Sequence, residues 1–161
     1  MLCAQAAAVA WLEGLLPSFA WLPPGAKPGF SNVITMFAAG SLGLPYAMSV
    51  TAVKALFAFV TRGAMAGAMS FAGSAVSTLL MWFLLRMKKQ RLGYIGISVS
   101  CAVVHNLAQL CVAAVMTGTQ KIFYYTPVLG LVAIITGTVT GIIFRAVMPA
   151  LEKQKKYFIR G

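Results

Sequence analysis

Long apolar runs, separated by short polar or glycine- and proline-rich breaks, dominate the chain. A helix needs about 20 apolar residues, with a range of about 17 to 25, to cross the hydrocarbon core of a bilayer. The pattern predicts six crossings in a single domain spanning residues 1–161, and the second run is short enough to be tilted or partly re-entrant. The predicted crossings lie at about 2–22, 32–44, 45–61, 64–87, 94–116 and 123–147.

The amino-acid composition supports this interpretation. Of the 161 residues, 60% are hydrophobic and 9% are charged, whereas soluble domains carry about 25% charged residues. We therefore predict an all-α, polytopic membrane protein that has the lipid bilayer as its solvent. The net charge of +11 would suggest nucleic acid as the partner of a soluble protein. Here the basic residues lie at the ends of apolar runs, so no nucleic-acid partner is expected.

The distribution of lysine and arginine predicts the orientation, because these residues gather on the cytoplasmic side of membrane proteins. Eight of them lie on one side, in the loop after the fourth run and in the basic tail 152–161. The other side has three, Lys27, Arg62 and Lys121. Both termini are therefore expected in the cytoplasm. No basic segment precedes the first run, which argues against a cleaved signal peptide and predicts that the natural start differs from Met1.

The scarcity of acidic residues argues against an enzyme. The chain has no aspartate and only two glutamates, Glu13 and Glu152. Paired-carboxylate hydrolysis and magnesium-dependent phosphate chemistry both need more carboxylates. The sequence contains no G-x-x-x-x-G-K-[ST] segment, so the chain cannot use ATP as P-loop proteins do. One histidine and three scattered cysteines indicate neither a metal site nor a disulfide framework, and no cofactor is expected.

Three ionisable residues, Glu13, Lys54 and His105, lie near the middle of predicted helices and at similar depth. An ionisable side chain at the centre of a membrane helix costs about 2.5 to 3.5 kcal/mol on insertion scales, so it normally faces the protein interior. A functional role is one explanation. A structural Glu13–Lys54 ion pair and a hydrogen-bonded structural His105 are the alternatives.

Polar stripes around these residues favour a binding pocket. On the fifth run, five residues lie within about a third of the helix circumference: Ser98, Ala102, His105, Asn106 and Gln109. A similar stripe on the third run comprises Ala47, Thr51, Lys54, Ala58 and Thr61. The candidate pocket is rich in cations and amides, which favours an anionic ligand. We expect Lys54, Lys27 and His105 to neutralise the anion, Asn32, Asn106 and Gln109 to donate or accept hydrogen bonds, and Glu13 to orient Lys54 or His105.

Small residues spaced four apart predict close helix contacts, since that spacing gives one helix face a smooth strip. Such pairs are Ala4 and Ala8, Ala6 and Ala10, Gly63 and Gly67, and Gly137 and Gly141. Packing within the chain is the alternative to an external contact for any one of them. The alanine-dense start of the first run is the best candidate for binding another protein.

Three stretches resemble a known family. They are Leu12-Glu13 through Leu16-Pro17 to the loop 24–32 (PGAKPGFSN), the segment 104–109 (VHNLAQ), and 124–130 (YYTPVLG). The chain is similar over nearly its whole length to the Gx transporter family, also described as heptaprenyl diphosphate synthase component I. The His-Asn-x-x-Gln stretch and the Pro-Gly-Ala-Lys loop are the most specific parts of this resemblance.

The resemblance implies a substrate-binding subunit of an energy-coupling-factor importer in a bacterial plasma membrane. Such subunits capture a small solute outside and dock on a transmembrane coupling subunit and two ATPases. The likeness implies that Ala4 and Ala8, with Ala6 and Ala10, make the docking contact. The alternative is a non-catalytic accessory subunit of a membrane enzyme in prenyl diphosphate or quinone metabolism, or of a redox complex. The chain has none of the aspartate-rich motifs that prenyl diphosphate synthases use, so the synthase description is not expected to mean catalysis.

Overall fold

The computed structural model describes residues 31–87 and 93–159, together with the isolated positions Ala8 and Leu12, and gives side-chain surroundings for residues 32–87 and 93–148. Within these ranges the chain is helical and contains no strand. The helices are α1 (Ser31–Phe37), continued by a π-helical segment (Ala38–Leu42), α2 (Leu44–Arg62), α3 (Ala64–Arg86), α4 (Tyr94–Thr117) and, after a 3-10 segment (Gln120–Tyr125), α5 (Thr126–Ile159).

Four helical segments of the described chain are long and apolar enough to cross a membrane. They are Leu44–Arg62, Ala64–Arg86, Tyr94–Thr117 and Gln120–Met148, which correspond to the third to sixth predicted runs. The second run forms a shorter apolar helix, Asn32–Leu42, as its length suggested. The first predicted crossing, 2–22, lies outside the described residues apart from Ala8 and Leu12, which are helical and exposed. Over its described residues the chain is all-helical, as a membrane helical bundle requires, and four of the six predicted crossings are accounted for.

Two of the turns between helices consist of a single glycine each. Gly43 and Gly63 have φ angles of 97° and 91°, in the left-handed region that residues with a Cβ rarely adopt. The break between the second and third runs was predicted at Pro45. It lies instead at Gly43, because α2 begins at Leu44 and Pro45 occupies its first turn, where a missing N–H breaks no helical hydrogen bond.

The last helix continues beyond its apolar span. The sixth crossing was predicted at about 123–147, close to the apolar segment Gln120–Met148 of the structure. The predicted basic tail at 152–161 continues the same helix, because α5 has 34 residues and ends at Ile159. Glutamate, lysine and glutamine, which dominate the extension, are good helix formers. At about 1.5 Å per residue the helix is about 51 Å long, well beyond the roughly 30 Å of hydrocarbon in a bilayer.

The four long helices pack as antiparallel neighbours in chain order. α3 lies between α2 and α4, α4 lies between α3 and α5, and the short α1 contacts α2, α3 and α5. The closest approach joins α4 to α5. A Cβ added to Gly137 would lie 2.6 Å from the Cα of Val99, and one added to Gly141 would lie 2.6 Å from the Cα of Ile95. This glycine pair therefore serves packing within the chain.

The bundle has two distinct ends. At the Tyr94 end, α3 finishes and α4 begins, and at the Gly63 end, α2 turns into α3 and α4 leads into the 3-10 segment. An apolar core fills the interior towards the Tyr94 end. Its fully or almost fully buried members include Met36, Val50, Met81, Ile97 and Phe144.

Candidate functional site

The buried face of α2 begins the candidate site. Ala47, Thr51, Lys54 and Ala58 recur at helical spacing, and all four are buried. Lys54 is only 7% exposed, although it lies near the middle of a helix long enough to cross the membrane. Its Nζ donates a hydrogen bond to the Oδ1 of Asn32 in α1 at 2.9 Å. The structure thus brings together two of the predicted ligand residues, which are 22 positions apart in the chain.

A pair of threonines extends this polar contact to α3. The hydroxyls of Thr51 and Thr78 lie 3.0 Å apart and are both buried. Thr51 is one turn before Lys54 on the same face of α2, so the threonine pair lies directly on the Tyr94 side of the buried ammonium. One hydroxyl donates to the other, so both groups share a hydrogen bond, which lowers the cost of placing them inside an apolar bundle.

The next residues of α3 face His105 of α4. The Oγ of Ser77 donates to the carbonyl oxygen of Ser74 at 3.1 Å and lies 3.5 Å from the Nδ1 of His105. The hydroxyl of Ser77 and the imidazole can each donate or accept in this contact, depending on the tautomer of His105.

Gly73 lets His105 and Gln109 lie against α3. A Cβ at this position would lie 2.8 Å from the Cγ of Gln109 and 3.1 Å from the Cε1 of His105. It would also lie 3.0 Å from the carbonyl oxygen of His105. Two of the predicted ligand residues therefore share one neighbour, and that neighbour has no side chain. We call Asn32, Thr51, Lys54, Ser77, Thr78, His105 and Gln109 the polar layer.

Asn106 and Ser98, which share the predicted stripe of α4, point to other helices. The Nδ2 of Asn106 donates to the carbonyl oxygen of Leu129 in α5 at 3.1 Å. The hydroxyl of Ser98 contacts the sulfur of Met36 in α1 at 3.4 Å. The stripe is therefore divided among three partner helices, and Asn106 makes a contact separate from those of His105 and Gln109.

Several predicted site residues lie outside the described residues: Glu13, Lys27, Ala4, Ala6 and Ala10. Ala8 is helical and exposed. At the Gly63 end, Lys121, Tyr124 and Tyr125 are exposed, with Tyr124 at 85%. Exposed tyrosines at the end of a spanning helix are typical of the aromatic belt at a membrane interface.

The polar groups in the described interior are satisfied. Among the described side chains, no buried nitrogen or oxygen atom lacks a hydrogen-bond partner. The same part of the chain contains no cluster of three histidine, cysteine, aspartate or glutamate residues that could hold a metal ion. Ammonium, imidazole, amide and hydroxyl groups form the described site, and such groups can bind anions and hydrogen-bonding solutes.

Sequence reasoning missed the contribution of α3. Gly73, Ser74, Ser77 and Thr78 form one polar edge on an otherwise apolar helix, and all four are buried. The signal was present, because positions 74, 77 and 78 follow the i, i+3, i+4 spacing of a single helix face. Serine and threonine are common in membrane helices and can bond to their own backbone. Their role became visible only once the neighbouring helices were in place.

A comparison with models of known protein families gives one match. The model of the family described as Heptaprenyl diphosphate synthase component I matches residues 2–147. No curated protein and no solved structure matches the chain.

Proposed function

Because the chain belongs to the heptaprenyl diphosphate synthase component I family, we propose that it is the substrate-binding membrane subunit of an energy-coupling-factor-type importer. It captures a small anionic or amphipathic solute from outside the cell. It resides in a bacterial plasma membrane with both termini in the cytoplasm. It is non-catalytic, and its transport energy comes from partner subunits.

The buried Lys54 is the observation that carries this proposal. An ammonium placed mid-helix and 7% exposed is costly to insert, so its retention needs a compensating role. One hydrogen-bond partner of Lys54 is an amide oxygen, which a negatively charged ligand group can replace with a stronger, charge-assisted bond. Lys54 and His105 belong to the same polar layer, in which the Thr51–Thr78 pair and Ser77 lie between α2 and α4.

Native mass spectrometry of the purified protein tests the proposal. Wild-type protein should retain a small molecule that gives a reproducible mass increment. Lys54→Ala should lose at least about 90% of this bound fraction, because one charge-assisted hydrogen bond contributes about 1.5 to 3 kcal/mol. Lys54→Arg should retain part of it. Lys121→Ala, which removes an exposed lysine, is the matched control and should bind like the wild type. Equal retention by Lys54→Ala and Lys121→Ala would exclude Lys54 as a ligand.

In the proposed importer, a transmembrane coupling subunit and ATPase subunits supply the energy, and this sequence has no P-loop of its own. We propose that Ala4, Ala6, Ala8 and Ala10 form the docking strip, and the exposure of Ala8 supports this assignment. Ala4→Trp and Ala8→Trp should abolish co-purification with the coupling subunit without lowering the melting temperature of the isolated chain. Ala114→Trp, on a different helix, is the control. Undiminished co-purification of the Ala4→Trp, Ala8→Trp double variant would rule out this strip.

The family description favours a second candidate, a non-catalytic accessory subunit of a prenyl diphosphate or quinone-pathway enzyme. The two functions differ in what the isolated chain can do. A solute-binding subunit retains its ligand without any enzyme present. An accessory subunit instead raises the activity of a catalytic partner and gains a bound mass only in that complex. Measuring bound mass for the chain alone and with the partner separates the two.

A further inference from the structure

We propose that Gly73 is a positioning residue, which fixes the imidazole of His105 and the amide of Gln109 in the solute-binding site. The proposal rests on the function proposed above. It extends that function to α3, a helix to which the sequence assigned no ligand residue.

The contacts at Gly73 involve two side chains of the polar layer, unlike those at Gly137 and Gly141, where all the nearest atoms belong to the backbone of α4. The Cβ that Gly73 lacks would lie 2.8 Å from the Cγ of Gln109 and 3.1 Å from the Cε1 of His105. Real Cβ atoms essentially never approach another heavy atom within 3.0 Å, so Gln109 would have to leave its present conformation. At Gly137, by contrast, the missing Cβ would meet backbone atoms of Val99 and Ser98.

His105 lies between Gly73 and Ser77 of α3. Its Nδ1 lies 3.5 Å from the hydroxyl of Ser77, one helical turn beyond Gly73. A methyl group at position 73 would lie 3.1 Å from Cε1, the ring carbon between the two nitrogens, and would displace the ring by a few tenths of an ångström. The side chains of His105 and Gln109 therefore depend on the same empty position.

The single histidine of the chain allows a direct test. Protein labelled with ¹⁵N-histidine and carrying an affinity tag without histidine gives imidazole signals from His105 alone. Gly73→Ala should shift these signals and should lower the bound fraction in native mass spectra by at least about tenfold. Gly137→Ala introduces a contact of 2.6 Å to the Val99 backbone, so it is the matched control. It should lower the melting temperature at least as much as Gly73→Ala and leave the imidazole signals unchanged.

A second variant keeps the test decisive if Gly73→Ala folds poorly. Gly73→Ala combined with Gln109→Ala removes the shortest contact, so its melting temperature should be higher than that of Gly73→Ala, although the 3.0 Å contact with the His105 carbonyl oxygen remains. Its imidazole signals should still be shifted, because the contact with Cε1 remains. Failure of this double variant to fold would overturn the proposal, since Gly73 would then serve helix packing in the same way as Gly137.

Three further outcomes would also overturn the proposal. They are unchanged imidazole signals in Gly73→Ala, equal shifts in Gly137→Ala, and shifted signals with wild-type retention of the bound mass. The imidazole measurement needs no ligand, so failure of the proposed function gives a different result. If the proposed function is wrong, wild-type protein carries no bound mass. The imidazole signals of Gly73→Ala still show whether this glycine positions His105.

Discussion

The apolar core near the Tyr94 end and the polar layer beside it are built by the same helices, but different forces hold them together. Met36, Ile97 and Phe144 are completely or almost completely buried in the core, where packing provides the contact energy. In the polar layer, Lys54 and Thr51 are buried to a similar degree, but each needs a named partner. In a bilayer, lipid tails are as apolar as leucine. Core packing therefore stabilises the bundle through complementary shape, whereas each buried polar group of the polar layer has a desolvation cost that its hydrogen bonds must offset.

The short helix α1 belongs to both regions. At one end Asn32 accepts the hydrogen bond from Lys54, and one turn later Met36 is fully buried in the core. The helix then continues in π-helical form to Leu42. Single π-helical turns are often found at functional sites, where they realign side chains. α1 therefore couples the position of Asn32 to the packing of the core.

The largest expected effect on stability comes from removing a buried aromatic ring from the core. Phe144→Ala should lower the free energy of unfolding by about 3 to 5 kcal/mol, because the ring is fully buried and packs edge-on against Tyr94. Phe83→Ala, at a 59% exposed position, is the control and should change stability far less. Reversible unfolding of both variants measures the difference. Similar losses would show that the core does not dominate stability.

The next effect concerns the buried lysine. Lys54→Ala should destabilise the bundle by about 1 to 3 kcal/mol, because it leaves polar partners without their donor. If Lys54 serves only to neutralise Glu13, adding Glu13→Ala should restore both stability and the wild-type bound mass. Our proposal predicts that solute retention stays lost in the double variant even if stability returns. Thermal unfolding and native mass spectrometry of the same samples distinguish these two roles.

A smaller effect is expected at the threonine pair. Thr51→Val and Thr78→Val each leave one buried hydroxyl without its partner, whereas the double variant removes both groups. A double-mutant cycle should therefore give a coupling energy of about 0.6 kcal/mol, the average for such bonds in a membrane bundle. Strict additivity of the two single changes would show that the hydroxyls do not stabilise each other.

The orientation of the two regions can be tested with almost no structural change. In a background in which Cys3, Cys101 and Cys111 are replaced by alanine, a membrane-impermeant thiol reagent should label Gly25→Cys from outside. It should not label Gln90→Cys until the membrane is permeabilised. This result would place the polar layer on the outward side of the apolar core. The reverse labelling pattern would turn the site towards the cytoplasm and contradict solute capture from outside.

The sequence alone determined the class of protein and most of the helices. Apolar runs of spanning length predict helices in a bilayer whatever their neighbours are, because backbone groups in lipid must be bonded within the segment. The burial of Lys54 was also predicted from its position near the middle of an apolar run, because a charged side chain facing lipid at that depth is costly. The family resemblance was likewise present in the residues and is confirmed over 2–147.

The tertiary structure alone decided which polar groups meet. Nothing local in the sequence pairs Lys54 with Asn32 or separates Asn106 from His105, because these contacts join different helices. They depend on the rotation and depth of each helix, which are set by packing at points such as Gly137 against Val99. The contribution of α3 was hidden for the same reason. Gly73 carries no chemistry of its own and matters because His105 and Gln109 pack against it.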